Sequence, residues 1–250
     1  MLFRRVVLSA LLVGALAGML LSVVQQWQVI PIIASAERFE SARTPQPEQR
    51  AAEAGHAHAG HVHPAGEWEP AEGRERLTYT VLSNVLAAVG FALIMLAALL
   101  AAQRSARTKL DWPSGLLWGL AGYVTFFVAP TLGLPPEIPG AEAAPLEARQ
   151  LWWVLAVLCT AAALAGAVFG RSYWRWAALG LLVVPHLVGA PHPAGNPFAG
   201  YPPAAAAELA ELARRFIWAT ALANAVFWVA LGFIAVWAAR WVLAGKFTVK

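Results

Sequence analysis

Four histidines within eight residues form the strongest candidate ligand set in the sequence. They follow the pattern HxHxxHxH and are His56, His58, His61 and His63. Imidazole nitrogen is a borderline-soft ligand that suits cobalt, nickel, copper and zinc, so the four side chains could wrap one divalent ion. The spacing does not choose among these metals. The alternative interpretation is a solvated loop of biased composition whose metal affinity is incidental.

Three further side chains could continue a metal path. His186 follows Pro185 within an apolar run, where an ionisable residue is costly and usually faces the bundle interior or a cavity. The proline removes one backbone donor and opens the helix at this point. We expect His192 at the outer mouth of the path and Glu147 as a secondary oxygen ligand at the outer interface. A neutral His186 that is hydrogen-bonded to a neighbouring helix is the alternative.

The composition places these residues in a membrane protein. Hydrophobic residues make up 59% of the 250 residues, charged residues 13%, and the mean hydropathy is +0.58. Soluble domains carry about 25% charged residues. The pI of about 9.6 does not indicate nucleic-acid binding, because the basic residues flank apolar runs and form no stripe with stacking aromatics. The sequence therefore predicts an all-α, polytopic transmembrane helix bundle in a lipid bilayer.

Apolar runs predict six spans in one membrane domain, 1–250. The spans are 6–24, 79–102, 113–132, 151–169, 176–190 and 216–243. The run 176–190 is short and contains Pro185, so a broken or re-entrant segment there would leave five spans. Residues 34–76 are rich in glutamate, proline and histidine and are expected to form a mobile extramembrane loop. For the first apolar run, 6–24, the alternative to a span is a signal peptide that is cleaved off.

The basic residues predict the orientation of the bundle. With a cytoplasmic N-terminus and six spans, the cytoplasmic side holds Arg4, Arg5, Arg104, Arg107, Lys109, Arg171, Arg175, Arg240, Lys246 and Lys250. Every acidic residue except Asp111 then faces outward. The histidine loop would be periplasmic or extracellular and the C-terminus cytoplasmic. With five spans the C-terminus would lie outside.

Small and amide side chains within the apolar runs indicate helix packing. Gly14 and Gly18 have the GxxxG spacing that lets helices approach closely. Gln25, Asn84 and Thr125 could relay a partly hydrated cation, but we expect them to hold helices together. The single cysteine, at position 159, cannot form a disulfide within one chain and is expected to pack between helices.

The sequence lacks the motifs of several enzyme classes. It has no Walker A sequence, GxSxG elbow, HExxH or dinucleotide fingerprint. We therefore expect no enzyme activity and no organic cofactor. Any uptake would therefore run down the gradient of the metal, use an ion gradient, or draw energy from another subunit.

Several short motifs, in order, carry a resemblance to a known family. They are Phe3-Arg4-Arg5, Glu75-Arg76 with Thr80 and Asn84, LPPEIPG at 134–140, Ala144-Pro145-Leu146, RQLWW at 149–153, PHLVGAP at 185–191, and Phe227-Trp228. Together they resemble the CbtA family of predicted cobalt transporter subunits over nearly the whole chain. The resemblance implies cobalt uptake in the bacterial inner membrane, linked to cobalamin synthesis. It also implies a small single-span partner, CbtB, and five spans where charge placement predicts six.

The favoured hypothesis is a cobalt permease subunit whose histidine loop captures Co²⁺ outside and whose bundle passes it inward near His186. A membrane metal-binding or assembly protein for cobalt, nickel or zinc, which hands metal to a partner without transporting it, is the first alternative. The second is a membrane enzyme at the outer face that uses His186, His192 and Glu147 as acid and base groups.

Overall fold

The computed structural model describes residues 2–43, 70–71, 73–105 and 107–244, and within these ranges the chain is helical and has no strand. The all-helical prediction is thereby confirmed for the described residues. The helices are α1 (Leu2–Gln28), α2 (Ile30–Arg43), α3 (Arg74–Arg104), α4 (Trp112–Gly133), α5 (Leu146–Phe169), α6 (Trp174–Val188) and α7 (Pro203–Ala244).

Five of these helices are long and apolar enough to cross a membrane, namely α1, α3, α4, α5 and α7. The remaining apolar run, for which the sequence predicts a sixth span, is the shorter helix α6. It changes to 3₁₀ geometry at Gly180–Val183 and resumes as α-helix at Val184–Val188. Pro185 has no N–H to donate to an α-helical carbonyl four residues earlier, which explains the change in geometry before it. The structure thus contains five candidate spans in the described ranges and one shorter apolar helix.

Helices also extend beyond the apolar runs. Residues 30–43 form α2, although the sequence predicts a mobile loop from residue 34. Helix α5 begins at Leu146 and α7 begins at Pro203, both ahead of the predicted spans. Hydropathy marks only the part of a helix that can lie in hydrocarbon, so polar helical turns outside that part escape it.

One end of the bundle, here called the basic end, gathers four of the described arginines. Each binds an element distant in sequence or the end of a neighbouring helix. The contacts are Arg5 over the Trp241 ring at 5.5 Å, Arg107 with the Phe169 carbonyl, Arg175 with the Ala167 carbonyl at 2.8 Å, and Arg240 with the Leu110 carbonyl. The start of α1, the α3–α4 turn and the ends of α5 and α7 therefore meet there.

The opposite end, here called the loop end, is built from α2, the segments 134–145 and 189–202, and the first turns of α7. The Glu142 N–H donates to the Pro197 carbonyl at 2.9 Å, which joins the two segments. An apolar cluster fills this end and includes Val29, Ala36, Ile138, Phe198, Leu209 and Phe216. An ion pair between Glu37 and Arg76 fixes α2 to the start of α3.

Close approach of α1 to α3 confirms the prediction from the GxxxG spacing. A Cβ added at Gly14 would lie 2.5 Å from the Val89 backbone, and one at Gly18 would lie 2.6 Å from the Val85 backbone. A second set of glycines, which the sequence analysis missed, does the same for α4 and α7. There a Cβ added at Gly232 would lie 2.7 Å from the Gly119 backbone, and one at Gly119 would lie 2.6 Å from the Trp228 carbonyl oxygen.

Polar side chains also join α1 to α3. Asn84 Nδ2 donates to Ser22 Oγ at 3.0 Å and to Gln25 Oε1 at 2.7 Å. Ser22 Oγ donates in turn to the Gly18 carbonyl at 2.9 Å. These bonds confirm the packing interpretation of Asn84 and Gln25, because each holds the neighbouring helix.

Helix α4 starts with a side-chain cap at the basic end. Asp111 Oδ1 accepts the Ser114 N–H at 3.0 Å, and Pro113 stands in the first turn, where a missing N–H costs nothing. The hydrogen bonds from Ser114 hold the pKa of the Asp111 carboxyl below its usual value. Asp111 is therefore an anion that is committed to the helix N-terminus.

Candidate metal path

A small cavity of about 170 Å³ lies where α4, α5 and α6 meet. Its walls are mostly aliphatic, and His186 of α6 and Thr160 of α5 supply its polar side chains. The lining residues are Val124, Val128, Ala129, Leu132, Ala156, Thr160, Leu182, Pro185 and His186. Thr160 is only 2% exposed, whereas His186 is also exposed on the outer side of α6. The imidazole thus stands at the rim of the cavity.

Trp152 of α5 holds the part of α6 that carries His186. Its Nε1 donates to the Pro185 carbonyl at 3.0 Å, and its ring lies edge-on to the His186 ring with centroids 6.3 Å apart. The indole is buried against Gly133, where an added Cβ would come within 2.4 Å of it. This arrangement gives Trp152 a positioning role that the motif RQLWW did not by itself reveal.

Helix α4 forms the remaining wall of the cavity, next to the residues of α5 and α6, and it is irregular at this point. Residues Val124–Val128 form a π-helical turn, and the buried Pro130 follows it. Because a proline has no N–H, a carbonyl of the preceding turn receives no backbone bond from it. Such π-bulges occur frequently at functional sites. The signal that sequence reasoning could have used is Pro130 within the predicted third span.

The other predicted ligands are not gathered at this cavity. His192 and Glu147 are both exposed, in the 189–202 segment and the first turn of α5. Among the described residues no group of three or more His, Cys, Asp or Glu side chains could hold a metal ion. The four loop histidines, His56, His58, His61 and His63, lie outside the described residues.

An ion pair at the loop end links two of the motifs that carry the family resemblance. Arg149 Nη2 lies 2.7 Å from Glu137 Oε2, and both side chains are about three-quarters buried. The Arg149 Nε is buried and has no hydrogen-bond partner among the described residues. The predicted oxygen ligand near this position was Glu147, whereas the partner of Arg149 is Glu137, ten residues earlier in the chain. Spacing along the chain could not reveal this pairing.

Comparison with known proteins identifies the family. No curated protein and no solved structure matches the chain significantly. The family model CbtA, described as a probable cobalt transporter subunit, matches residues 3–240 and so covers the bundle from α1 to near the end of α7. The chain therefore belongs to the CbtA family of probable cobalt transporter subunits.

Proposed function

We propose that this chain is the Co²⁺-conducting subunit of an uptake system in the bacterial inner membrane that serves cobalamin synthesis. The observation that carries the proposal is the family match over residues 3–240, which extends over all seven helices. A subunit implies a partner, and we propose a small single-span protein of the CbtB type. Cobalt is the transported substrate.

The proposed topology has six crossings, with both termini in the cytoplasm and the histidine loop outside. Helix α6 supports it, because α5 ends at the basic end, where Arg107 binds the Phe169 carbonyl, and α7 starts at the loop end. In this arrangement α6 returns the chain across the membrane. Bilayer thinning or a covering partner would accommodate its short length. The basic end then faces the cytoplasm, as the positive-inside rule requires.

Capture of the metal is assigned to His56, His58, His61 and His63. The chain leaves the described part at Arg43 and returns at residue 70, and the Glu37–Arg76 ion pair brings both points to the loop end. A ligand set between these points would therefore be tethered at the outer mouth of the bundle. Imidazole binds metal only in its neutral form, so capture should weaken as the pH falls below about 6.5.

We assign the passage of Co²⁺ through the bundle to the cavity at His186. Its imidazole, the Thr160 hydroxyl and the broken hydrogen-bond ladder of α4 could replace part of the water around Co²⁺. His192 and Glu147, both exposed, would act as weaker ligands on the approach. A single histidine at the rim suits a transient waypoint, since a conducting site must also release its ion.

A second candidate is a membrane metal-binding or assembly protein for cobalt, nickel or zinc that does not itself transport the ion. The lack of a ligand group among the described residues favours it, because delivery to a partner would need the loop histidines alone. The two candidates differ in whether the purified protein moves metal across a membrane.

The test is uptake of radioactive Co²⁺ into proteoliposomes of the purified chain under an imposed metal gradient, with and without the small partner and with Ni²⁺ or Zn²⁺ as competitor. We expect saturable uptake in which Co²⁺ is preferred. Replacing the four loop histidines by alanine should raise the half-saturating concentration, and His186→Ala should lower maximal flux. The matched control Leu187→Ala changes the adjacent exposed residue and should leave flux unchanged. Binding of Co²⁺ without uptake under every condition would establish the second candidate.

A further inference from the structure

A larger cavity than the one at His186 lies at the basic end of the bundle. It is a groove of about 1000 Å³ that α3 and α5 flank and α4 backs, and it opens at the basic end. Neither His186 nor Thr160 lines it. The groove is thus separate from the metal path proposed above, and nothing in that proposal uses it.

Cationic and hydroxyl groups surround the mouth of the groove. The α3–α4 turn supplies Arg107 and Lys109, both exposed, together with Ser105 and Thr108. Arg107 also reaches the end of α5, where its guanidinium donates to the Phe169 carbonyl and lies 5.8 Å from the centre of the Phe169 ring. Asp111 is the acidic residue that lines the groove, and the positive N-terminus of α4 offsets its charge. The mouth therefore favours an anion and repels a divalent cation.

The body of the groove is apolar and opens sideways from the bundle. Its rim carries Ile94, Leu117 and Val168, which are 55%, 65% and 63% exposed. Small side chains, among them Ala98 and Ala161, line the walls between them. In a membrane these residues would face hydrocarbon, so a lipid chain could enter the groove directly from the bilayer.

An aromatic cluster closes the inner end of the groove. The rings of Phe126 and Trp228 are stacked at 5.1 Å, and Phe91 stands edge-on to each at 5.0 Å. From Asp111 to Thr125 the α4 wall is about 21 Å long at about 1.5 Å per residue. One leaflet accounts for about 15 Å of the roughly 30 Å hydrocarbon core. The groove thus extends through one leaflet and a headgroup layer, whereas a docked transmembrane helix would need the full thickness.

We propose that this groove binds an anionic phospholipid from the leaflet at the basic end. The phosphate lies between Arg107 and Lys109, and the acyl chains fill the apolar body as far as the aromatic cluster. The bound lipid would connect the α3–α4 turn to the end of α5, two elements that Arg107 already joins. The proposal needs the chain to be in a membrane but does not depend on the metal that it transports.

The test is native mass spectrometry of the full-length protein titrated with phosphatidylglycerol or with phosphatidylcholine of the same acyl chains. We expect tighter binding of phosphatidylglycerol. Arg107→Gln with Lys109→Gln should weaken it roughly 25-fold, since each basic residue near an anionic headgroup contributes about a factor of five. Arg171→Gln with Arg175→Gln is the matched control, because it removes the same charge at the same end from residues outside the groove. It should change the affinity less than about twofold.

A second pair of variants tests the apolar body. Ala98→Trp would fill the groove, whereas Ala97→Trp places the same ring on an adjacent exposed position outside it. Only the first should abolish lipid binding. Soluble glycerophosphoglycerol should not compete, which distinguishes a lipid site from a phosphate site. Equal binding of the two lipids, or equal loss in both charge variants, would overturn the proposal. The proposal would also be overturned by a dimer that contains no lipid, or by a complex with the small partner, if Ala98→Trp dissociated it and Ala97→Trp did not.

Discussion

The contact between α1 and α3 gives the sharpest test of how this bundle is held together. An alanine Cβ at Gly14 would lie 2.5 Å from the Val89 backbone, against the 3.4 Å at which ordinary contact begins, so the helices would have to separate by about 0.9 Å. The two nearest atoms, Cα and N of Val89, belong to the backbone and cannot rotate away. Overpacking of this kind typically costs about 1 to 3 kcal/mol. We therefore expect Gly14→Ala to lower the free energy of unfolding by that amount.

Gly90, on α3, provides the matched control, because nothing lies within 4 Å of a Cβ added there. Alanine is the better helix former by about 1 kcal/mol, so Gly90→Ala should leave stability unchanged or raise it. The assay is equilibrium unfolding in mixed micelles, with Co²⁺ uptake measured on the same preparations. The double variant of Gly14 and Gly18 should cost less than the sum of the single variants, since one separation of the helices relieves both clashes. Equal stability of Gly14→Ala and Gly90→Ala would refute the close approach of α1 and α3.

Three further changes test the polar contacts of the bundle. Glu137→Gln should lower the free energy of unfolding by about 1 to 3 kcal/mol, because it leaves the Arg149 guanidinium, about three-quarters buried, without its charge partner, and a double-mutant cycle should reveal the coupling. Asn84→Leu removes both hydrogen bonds to α1 and should cost about 0.6 to 2 kcal/mol in the same unfolding assay, where no change would contradict the bonds. Trp152→Phe keeps an aromatic ring but loses the bond to the Pro185 carbonyl and part of the contact with Gly133, so hydrogen exchange of the α6 backbone should become faster. Unchanged exchange would show that other contacts hold α6.

Much of the membrane architecture could be predicted from sequence, because hydropathy and charge are properties of short segments. The apolar runs locate five of the long helices, and the basic residues in the short turns share one end of the bundle. The GxxxG spacing predicted the tight face of α1, since small residues at that interval lie on one side of a helix. These inferences needed only the period of the helix and the thickness of the bilayer.

The length of the sixth apolar run could not be settled in the same way. Its composition is that of a span, but Gly180 and Pro185 change the helical geometry, and the run ends at Gly189 with a φ of 83°. Helix α2 was not predicted, because its composition is not that of a span. Its residues are a near-even mixture of apolar and polar types, and it is stabilised by the apolar cluster of the loop end, whose members come from four separate parts of the chain.

Residue types and their spacing were enough to predict a bundle of membrane-spanning helices with a concentrated histidine motif and a basic end. Tertiary structure alone decided that His186 stands beside Thr160 and the π-helical turn of α4, that Arg149 pairs with Glu137, and that α3 and α5 enclose a groove beneath Arg107. The physical reason is the range of the interactions. Hydrophobicity and helix period act over neighbouring residues, whereas a cavity or an ion pair needs helices far apart in the chain to meet at one depth.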